Sequence, residues 1–221
     1  MRMMNILQRS KATPLGRRSR KVFTAGGDNV PMGHSRADKA QSHDRIVQTA
    51  ADRFRELGVD GISVADLMQC AGLTHGGFYR HFGSRDDLVA EAVERALADG
   101  GAVTDAVVAS PRSTIATLVD AYLSLAHRDN LTTGCAVTAL ANDVARSNER
   151  TRTAYTAQVD RYVKLIVRLI ERVPPKKRKS AAQAALATLV GAVAMARAVN
   201  DDKTSREILK SAADALKAQL G

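Results

Sequence analysis

The sequence predicts an all-α protein, with a small N-terminal three-helix domain joined to a larger C-terminal helical bundle. Ala, Leu and Val dominate an apolar content of 45%, while aromatic residues make up only 4% and Trp is absent. This composition suits packed helices better than sheets. Apolar residues also recur at three- and four-residue spacing along most of the chain. Finally, two short helical segments flank a Gly-containing turn within residues 62–82.

The first 37 residues are predicted to be a disordered basic extension. They carry eight basic residues and one acid, a net charge of +7 out of the total of +10, and show no sustained apolar periodicity. The expected role is non-specific attraction to DNA phosphates beside the folded domain. An organelle transit peptide has a similar composition, and Met32 is an alternative start that would leave residues 1–31 untranslated.

The folded part is predicted to begin with a helix over residues 42–57, which has a wide apolar stripe and Gly58 as its C-terminal cap. Ser63 then begins a short helix as its N-cap, and Gly72 supplies the backbone freedom for a tight turn. Thr74 is predicted to cap a second short helix. A helix, a short turn with Gly and a second helix form the unit that places its second helix in the DNA major groove.

This stretch resembles the DNA-binding domain of the TetR/AcrR transcriptional regulators over roughly residues 42–100. Arg85 stands where that family usually has Lys, and Met68 where it often has Ala. The resemblance implies a bacterial cytoplasmic regulator of about nine helices, associated with the nucleoid when bound to DNA. The residues that carry it occur in fixed order without a gap: Gly58, Ser63, Leu67, Ala71-Gly72, Leu73-Thr74, Gly76, Phe78-Tyr79, His81-Phe82, Ser84 and Leu88.

Nine residues in and beside the second short helix are predicted to contact DNA. Thr74 and Tyr79 can donate to phosphate oxygens, and His75 and Arg80 can reach base edges or phosphates. Two consecutive Gly residues cost on the order of 1 kcal/mol each in a helix, a cost that close approach to the duplex explains. The alternative is that the aromatic members only pack the three-helix core. The predicted contacts are Ser63, Thr74, His75, Gly76, Gly77, Tyr79, Arg80, His81 and Arg85.

Beyond the helix-turn-helix, residues 84–99 predict a connecting helix that ends at Gly100-Gly101. The spacing then predicts helices over residues 111–126, 133–144, 148–173, 180–199 and 204–219. The basic run 176–179 is predicted to be a loop, and no apolar run is expected to reach the length of a membrane span. Residues 38–100 are therefore assigned to the DNA-binding domain, and residues 101–221 to a helical ligand-binding and dimerisation domain.

The C-terminal helices carry candidate ligand-pocket residues. Taken singly, each is more typical of ordinary core, but together they could line a small-molecule pocket between helices. Cys135 follows Gly134 at a predicted helix start, where the helix dipole favours a reactive thiolate, although a small buried hydrophobe is the alternative. No metal site, cofactor or catalytic group is expected. The candidates are Tyr122, His127, Cys135, Tyr155, Tyr162 and Met195.

The resemblance implies a homodimer that forms through helices 180–199 and 204–219 and binds a near-palindromic operator. A small-molecule effector would shift the connecting helix, so the expected function is a ligand-relieved repressor and not an enzyme. Three alternatives remain open. Cys135 could sense electrophiles or oxidants, the protein could coat DNA without sequence preference, or Cys135 and His127 could form the thiol–imidazole pair of a small enzyme.

Overall fold

A computed structural model of the chain describes residues 36–110 and 113–221, where it contains ten α-helices, two short 3₁₀ helices and no strand. The predicted all-α class is confirmed. The α-helices are α1 (Arg36–Leu57), α2 (Val64–Cys70), α3 (Arg85–Val108), α4 (Ile115–Tyr122), α5 (Leu125–Asp129), α6 (Ala136–Ala139), α7 (Ala141–Ala145), α8 (Glu149–Leu169), α9 (Pro175–Ala198) and α10 (Asp202–Leu220). The 3₁₀ helices are Val59–Gly61 and His75–Arg80, and we call the second the recognition segment.

The N-terminal boundary differs from the prediction. Helix α1 begins at Arg36, before the predicted start at residue 42 and within the predicted extension. Residues 1–35 lie outside the described part of the chain, so the prediction of a disordered basic arm is not tested there. At its other end, α1 terminates as predicted: Gly58 has φ of 78° and its N–H donates to the Phe54 carbonyl at 2.9 Å.

The three-helix core is formed by α1, α2, the recognition segment and the first half of α3. Phe54 of α1 and Leu67 and Met68 of α2 are fully buried. Phe78 and Phe82 are buried beside them, with their rings stacked at 5.4 Å. These two aromatic side chains therefore anchor the recognition segment from below and are not available to DNA.

Helix α3 is longer than the sequence predicted. It runs without a break through Gly100-Gly101 to Val108, so the prediction that it ends at the Gly pair is wrong. A Cβ on Gly101 would lie 2.7 Å from a guanidinium nitrogen of Arg161 on α8 and 3.2 Å from Nε2 of Gln158. The Gly pair thus allows close packing of α3 on α8, and the predicted domain boundary at residue 100 falls inside one helix.

The region between α3 and α8 is more broken than predicted. Thr114 caps α4 through a capping box with Thr117, so the helix begins at Ile115 and not at residue 111. Ser124 accepts a hydrogen bond from the His127 N–H and starts a separate helix, α5. The predicted helix 133–144 is two single turns, α6 and α7. Short polar caps interrupt what the apolar spacing alone presents as longer helices.

Helix α9 differs from its prediction in two respects. It begins at Pro175, a favourable first helical residue, so the basic run 176–179 is helical and not a loop. Its apolar part is also long and hydrophobic enough to cross a membrane by length and composition, with a mean hydropathy of 1.4, contrary to the prediction. One side of α9, including Leu189 and Val193, is buried against the neighbouring helices, as in the core of a helical bundle.

Candidate DNA-binding surface and ligand cavity

The helix-turn-helix is built from local hydrogen bonds. Ser63 Oγ accepts the backbone N–H of Asp66 at 3.1 Å and donates to the Asp66 carboxylate at 2.6 Å, which fixes the start of α2. Gly72 adopts φ of 71° in the turn, with open space where a Cβ would stand. The left-handed backbone conformation, and not crowding, therefore requires Gly at this position.

The recognition segment is a 3₁₀ helix and not the predicted α-helix. Thr74 occupies the N-cap position in an extended conformation, but its side chain makes no capping hydrogen bond to any described residue, contrary to the prediction. Gly76 and Gly77 have little tendency to propagate an α-helix, which explains the short, tight form. Phe78 holds the segment to the core.

Six of the nine predicted DNA-contact residues are exposed on the outer side of this unit: Ser63, Thr74, His75, Gly76, Tyr79 and Arg80. Tyr79 is 74% exposed, an unusual position for a large aromatic side chain. Gly76 has no atom within 4 Å of the place where a Cβ would stand, so internal packing gives no reason for Gly. Gly77 is half-buried, and its Cβ would only touch Met68 Cε at 3.6 Å. The outer surface therefore suits an external partner that approaches the backbone closely.

Arg85 has a partly exposed side chain that also bonds within the protein. Its guanidinium donates to the Val59 carbonyl at 2.6 Å and to the Asp60 carboxylate at 3.1 Å. It thereby ties the first turn of α3 to the turn that follows α1. These bonds use two of the five N–H donors of the guanidinium, so the phosphate contact of Arg85 stays a prediction.

His81 is likewise drawn into the domain. The residue is half-buried, its ring lies 6.0 Å from that of His43, and its Nδ1 is buried without a hydrogen-bond partner among the described residues. Burial lowers the pKa of His81, and the nearby His43, Lys39 and Arg80 lower it further. The imidazole is therefore neutral at pH 7, which makes it a poor partner for phosphate.

A second candidate site is a cavity of about 370 Å³ between the helices of the bundle. Its walls come from α3, α4, α5, α8 and the loop that precedes α6. Four of the six predicted pocket residues line it, namely Tyr122, His127, Cys135 and Tyr162. The other lining residues are Gly100, Thr104, Leu118, Ala121, Ala126, Asn130, Thr133 and Gly134.

His127 is held in one protonation form at the edge of the cavity. Its Nε2 accepts the backbone N–H of Cys135 at 3.3 Å, so Nδ1 carries the proton and donates to the Tyr122 carbonyl at 2.6 Å. Burial lowers the pKa of His127, partly offset by the bond to the Tyr122 carbonyl. The contact with Cys135 involves its amide and not its thiol, so the thiol–imidazole pair of the enzyme alternative is not formed.

The two cavity tyrosines are also neutral. Tyr122 shares a hydrogen bond of 2.8 Å with Thr138, and burial raises the pKa of its hydroxyl well above the ordinary value. Burial raises the pKa of Tyr162 to about 12, although the side chains of Thr104 and Gln158 beside the hydroxyl offset part of the rise. Both phenols can therefore donate hydrogen bonds at neutral pH.

Two predicted pocket residues lie elsewhere. Tyr155 is near the cavity, but its hydroxyl donates to the Val137 carbonyl at 2.8 Å and does not line the wall. Met195 is 58% exposed on the outer face of α9, contrary to the prediction that it faces the pocket. Because α9 is apolar nearly all round, its sequence does not distinguish the inner face from the outer one.

Sequence reasoning missed two polar residues that support the cavity. Arg197 on α9 donates to the carbonyls of His127, Arg128 and Asn130 at 2.9, 2.9 and 3.2 Å. It thereby holds the end of α5 and the start of residues 130–135, which we call the cavity loop. Gln158 on α8 is buried behind Tyr162. The sequence carries no signal for the Arg197 contacts, because its partners lie 67 to 70 positions away, whereas Gln158 and Tyr162 are four positions apart on one helix.

Two family descriptions match the chain. "Bacterial regulatory proteins, tetR family" matches residues 46–92, and "Transcriptional regulator LmrA/YxaF-like, C-terminal domain" matches residues 111–214. An uncharacterized HTH-type transcriptional regulator of Mycobacterium tuberculosis is 27% identical over 166 residues, which cover 72% of this chain and 85% of the relative.

Solved structures of regulators share the fold. A TetR transcriptional regulator from Chloroflexus aurantiacus superimposes with a TM-score of 0.69 at 25% identity, over 82% of this chain and 96% of that one. The reduced form of Escherichia coli NemR gives a TM-score of 0.66 at 18% identity, over 80% and 96% of the two chains. A TetR-family regulator from Cytophaga hutchinsonii gives 0.68 at 19% identity, over 81% and 95%.

Proposed function

Because the chain belongs to the TetR family of bacterial transcriptional regulators, we propose that it is a ligand-relieved repressor that binds a near-palindromic operator as a homodimer. The observation that carries the proposal is the continuity of α3. This helix begins at Ser84 beside the recognition segment and reaches the cavity wall at Gly100 and Thr104. A change at the cavity therefore has a rigid path to the DNA-binding surface.

Side-chain bonds attach α3 firmly to the DNA-binding unit. Arg95 donates to Gln48 of α1 at 2.9 Å and pairs with Asp44. Arg55, buried on α1, donates to the Ala96 carbonyl at 3.3 Å. When α3 moves, α1 and the recognition segment should move with it as one body.

Helix α3 is also attached to the bundle, from its middle to its last turn. Arg150 of α8 forms a two-pronged ion pair with Glu94, both bonds at 2.8 Å, and Arg161 of α8 pairs with Asp105. A ligand that separates α3 from α8 would thus alter the position of the DNA-binding unit. Coupling between two such sites is typically worth about 1–3 kcal/mol, which is enough to relieve repression.

The outer face of α9 supports the proposed dimer. Ala184, Ala187, Ala194 and Met195 are exposed on it, so a single chain leaves a row of small and apolar side chains in water. Pairing this face, together with α10, with the same faces of a second copy would bury it in a two-fold contact. The two recognition segments would then address half-sites one helical turn of DNA, about 34–36 Å, or a multiple apart.

We assign the DNA contacts to the exposed set Ser63, Thr74, His75, Gly76, Tyr79 and Arg80, with Gly77 allowing close approach. His81 and Arg85 would act by positioning the segment, since their side chains have partners or neighbours within the protein. In a bacterial cell the protein would act in the cytoplasm, at the nucleoid.

The test is binding of the purified full chain to its own upstream intergenic DNA and to an unrelated duplex of equal length, at two salt concentrations. Non-specific attraction falls steeply with salt, whereas a preference based on base contacts persists. We expect a preference for the upstream DNA that survives the higher salt. Equal, salt-sensitive binding to both duplexes would instead favour the architectural alternative.

A second candidate, thiol-based sensing, is favoured by one observation: Cys135 lies in the wall of the cavity. The single turn of α6 that follows it carries little dipole, so any reactivity would depend on the cavity and not on a helix terminus. Alkylation of the native protein with iodoacetamide tests it, with Cys135→Ser and Cys70→Ser as comparison variants. Thiol sensing requires that alkylation release DNA from the Cys70→Ser protein but not from Cys135→Ser.

A further inference from the structure

We propose that the cavity binds an uncharged, mainly apolar molecule whose hydrogen-bond acceptor, such as a carbonyl oxygen, lies beside Tyr162 at the wall between α3 and α8. The inference rests on the proposed function, because it names the chemistry of the effector that would relieve repression. Three features carry it: the absence of charge on the described walls, their apolar character, and an unsatisfied donor behind Tyr162.

Among the lining residues that the structure describes, none has a charged side chain. Both nitrogens of His127 are occupied by the backbone, which leaves it neutral. The neighbouring cation, Arg197, is committed to three carbonyls of the loop. An ionised ligand would therefore lose its hydration in the cavity without gaining an opposite charge, which is strongly unfavourable.

Most of the wall away from Tyr162 is apolar, although His127, Asn130 and Thr133 also line the cavity. Leu118, Ala121 and Ala126 form the apolar part, together with the ring of Tyr122. The volume of about 370 Å³ lies within the range of small-molecule sites, roughly 300–1,000 Å³. A flat or compact hydrocarbon body of one to three fused rings suits this space.

The polar end of the cavity is defined by Gln158 and Tyr162. Gln158 is only 7% exposed, and its Nε2 is buried without a hydrogen-bond partner within residues 36–110 and 113–221. Its amide lies beside the Tyr162 hydroxyl, which faces the cavity. If Gln158 donates to the phenolic oxygen, the O–H of Tyr162 is directed to an acceptor on the ligand. The Thr104 hydroxyl, which donates to the Gly100 carbonyl at 2.9 Å, also lies beside the Tyr162 hydroxyl, so an acceptor on the ligand would take the Tyr162 proton in competition with Thr104.

This position also connects ligand chemistry with regulation. The Tyr162 hydroxyl lies 3.4 Å from where a Cβ of Gly100 would stand, at the close contact of α3 with α8. An acceptor bound there would press on α3 at the Gly pair. The polar group of the ligand would therefore contribute to the shift of α3 as well as to affinity.

Three matched probes test the proposal on the full chain by equilibrium dialysis: 2-acetylnaphthalene (neutral, with a carbonyl), 2-ethylnaphthalene (neutral, without an acceptor) and 2-naphthoate (the anion of similar shape). We expect the acetyl compound to bind about fivefold more tightly than the ethyl compound, the value of one ordinary hydrogen bond. Naphthoate should bind at least about tenfold more weakly than the acetyl compound, because its charge is uncompensated.

The decisive variant is Tyr162→Phe, which removes only the hydroxyl. It should abolish the preference for the acetyl over the ethyl compound and leave ethyl binding unchanged. Tyr155→Phe is the matched control, since the same atom is removed beside the cavity but outside its wall, and it should retain the preference. Equal loss of both neutral probes in Tyr162→Phe would indicate a structural role and overturn the proposal, as would naphthoate binding as tightly as the acetyl compound.

Failure of this inference is distinguishable from failure of the proposed function. A protein that binds its operator specifically but none of the three probes would overturn the ligand chemistry and leave DNA recognition intact. A protein that binds 2-acetylnaphthalene as expected, but holds its operator equally well with and without the compound, would support the ligand chemistry. This second result would contradict only the proposal that such a ligand relieves repression.

Discussion

The DNA-binding surface and the cavity both contain tyrosine side chains, but these side chains lie in opposite environments. Tyr79 stands in water on a segment anchored by the buried Phe78 beside it, and its hydroxyl is available to an external polyanion. Tyr162 is buried and Tyr122 is half-buried, and both side chains line the uncharged cavity. The first arrangement comes from neighbours in sequence and the second from helices tens of residues apart. Local order thus prepares the surface, whereas only tertiary packing creates the cavity.

The largest expected effect contrasts two Gly→Ala substitutions. At Gly134 a Cβ would overlap the Asn130 carbonyl oxygen and approach the Arg197 guanidinium, so the cavity loop must shift. We expect Gly134→Ala to lower the free energy of unfolding by about 2–3 kcal/mol, the usual cost of overpacking. Urea denaturation followed by circular dichroism measures this.

Gly76→Ala is the matched control for Gly134→Ala. Open space surrounds that position and Ala is the better helix former, so folding stability should be unchanged or higher by up to about 1 kcal/mol. Operator affinity should fall, because the methyl group would stand between the segment and the duplex. A Gly76→Ala protein with undiminished operator affinity would contradict close backbone approach at this residue.

The next comparison removes one tyrosine hydroxyl from the DNA-binding surface and one from the helical bundle. Tyr79→Phe should weaken operator binding about fivefold, through the loss of a phosphate contact worth about 1 kcal/mol, and should leave stability unchanged. Tyr155→Phe should do the reverse, since its hydroxyl bonds to the Val137 carbonyl inside the bundle. Parallel DNA titrations and urea denaturation of the two variants check this, and a stability loss in Tyr79→Phe would mean that the ring is part of the core.

Arg85→Lys tests whether Arg85 supports the fold or contacts a DNA phosphate. Lys keeps the charge but cannot bond the Val59 carbonyl and Asp60 with the same fork. We expect a stability loss of about 0.5 kcal/mol, because the pair is partly exposed. The dependence of operator binding on salt should be unaltered. A change in that slope by about one unit for Arg85→Ala would assign the residue to a phosphate after all.

The smallest effect is a pH dependence set by His127. Because burial lowers its pKa in the folded protein, the unfolded chain takes up the proton first as the pH falls. Stability contributed by neutral His127 is therefore complete above pH of about 6.5, the ordinary value, and declines below it. Urea denaturation at pH 7.5 and 6.0 should show a smaller pH-dependent loss in His127→Gln than in the native protein. An equal loss in both proteins would assign the effect to other groups, with His81 the next to test.

The features that the sequence predicted correctly are those with local causes. Ser63 caps α2 through a bond to Asp66, complete within four residues, and Gly72 and Gly58 take the backbone conformations that the turns require. The helix-turn-helix, and with it the family, could therefore be inferred from one stretch of the chain.

Some errors have local causes, such as the caps of α4 and α5, but two arose where distant packing determines the structure. The Gly100-Gly101 pair is typical of a helix end. In the structure it lies inside a continuous helix, where a Cβ on Gly101 would crowd Arg161 and Gln158 of α8. Met195 was predicted to line the pocket, because the sequence of α9 does not distinguish its outer face from its inner one, but it is exposed. Arg161 and Gln158 are not near the Gly pair in sequence, so no local pattern could reveal them.

The Arg197 side chain has a consequence for how the protein would respond to its own abundance. Arg197 lies in the last turn of α9, whose outer face is proposed to pair with a second copy, and it holds the carbonyls of the loop that closes the cavity. Assembly that orders this turn would also order the cavity. By mass action, effector affinity would then depend on protein concentration, and a cell that makes more of the protein would also change the dose of ligand at which the proposed repression is released.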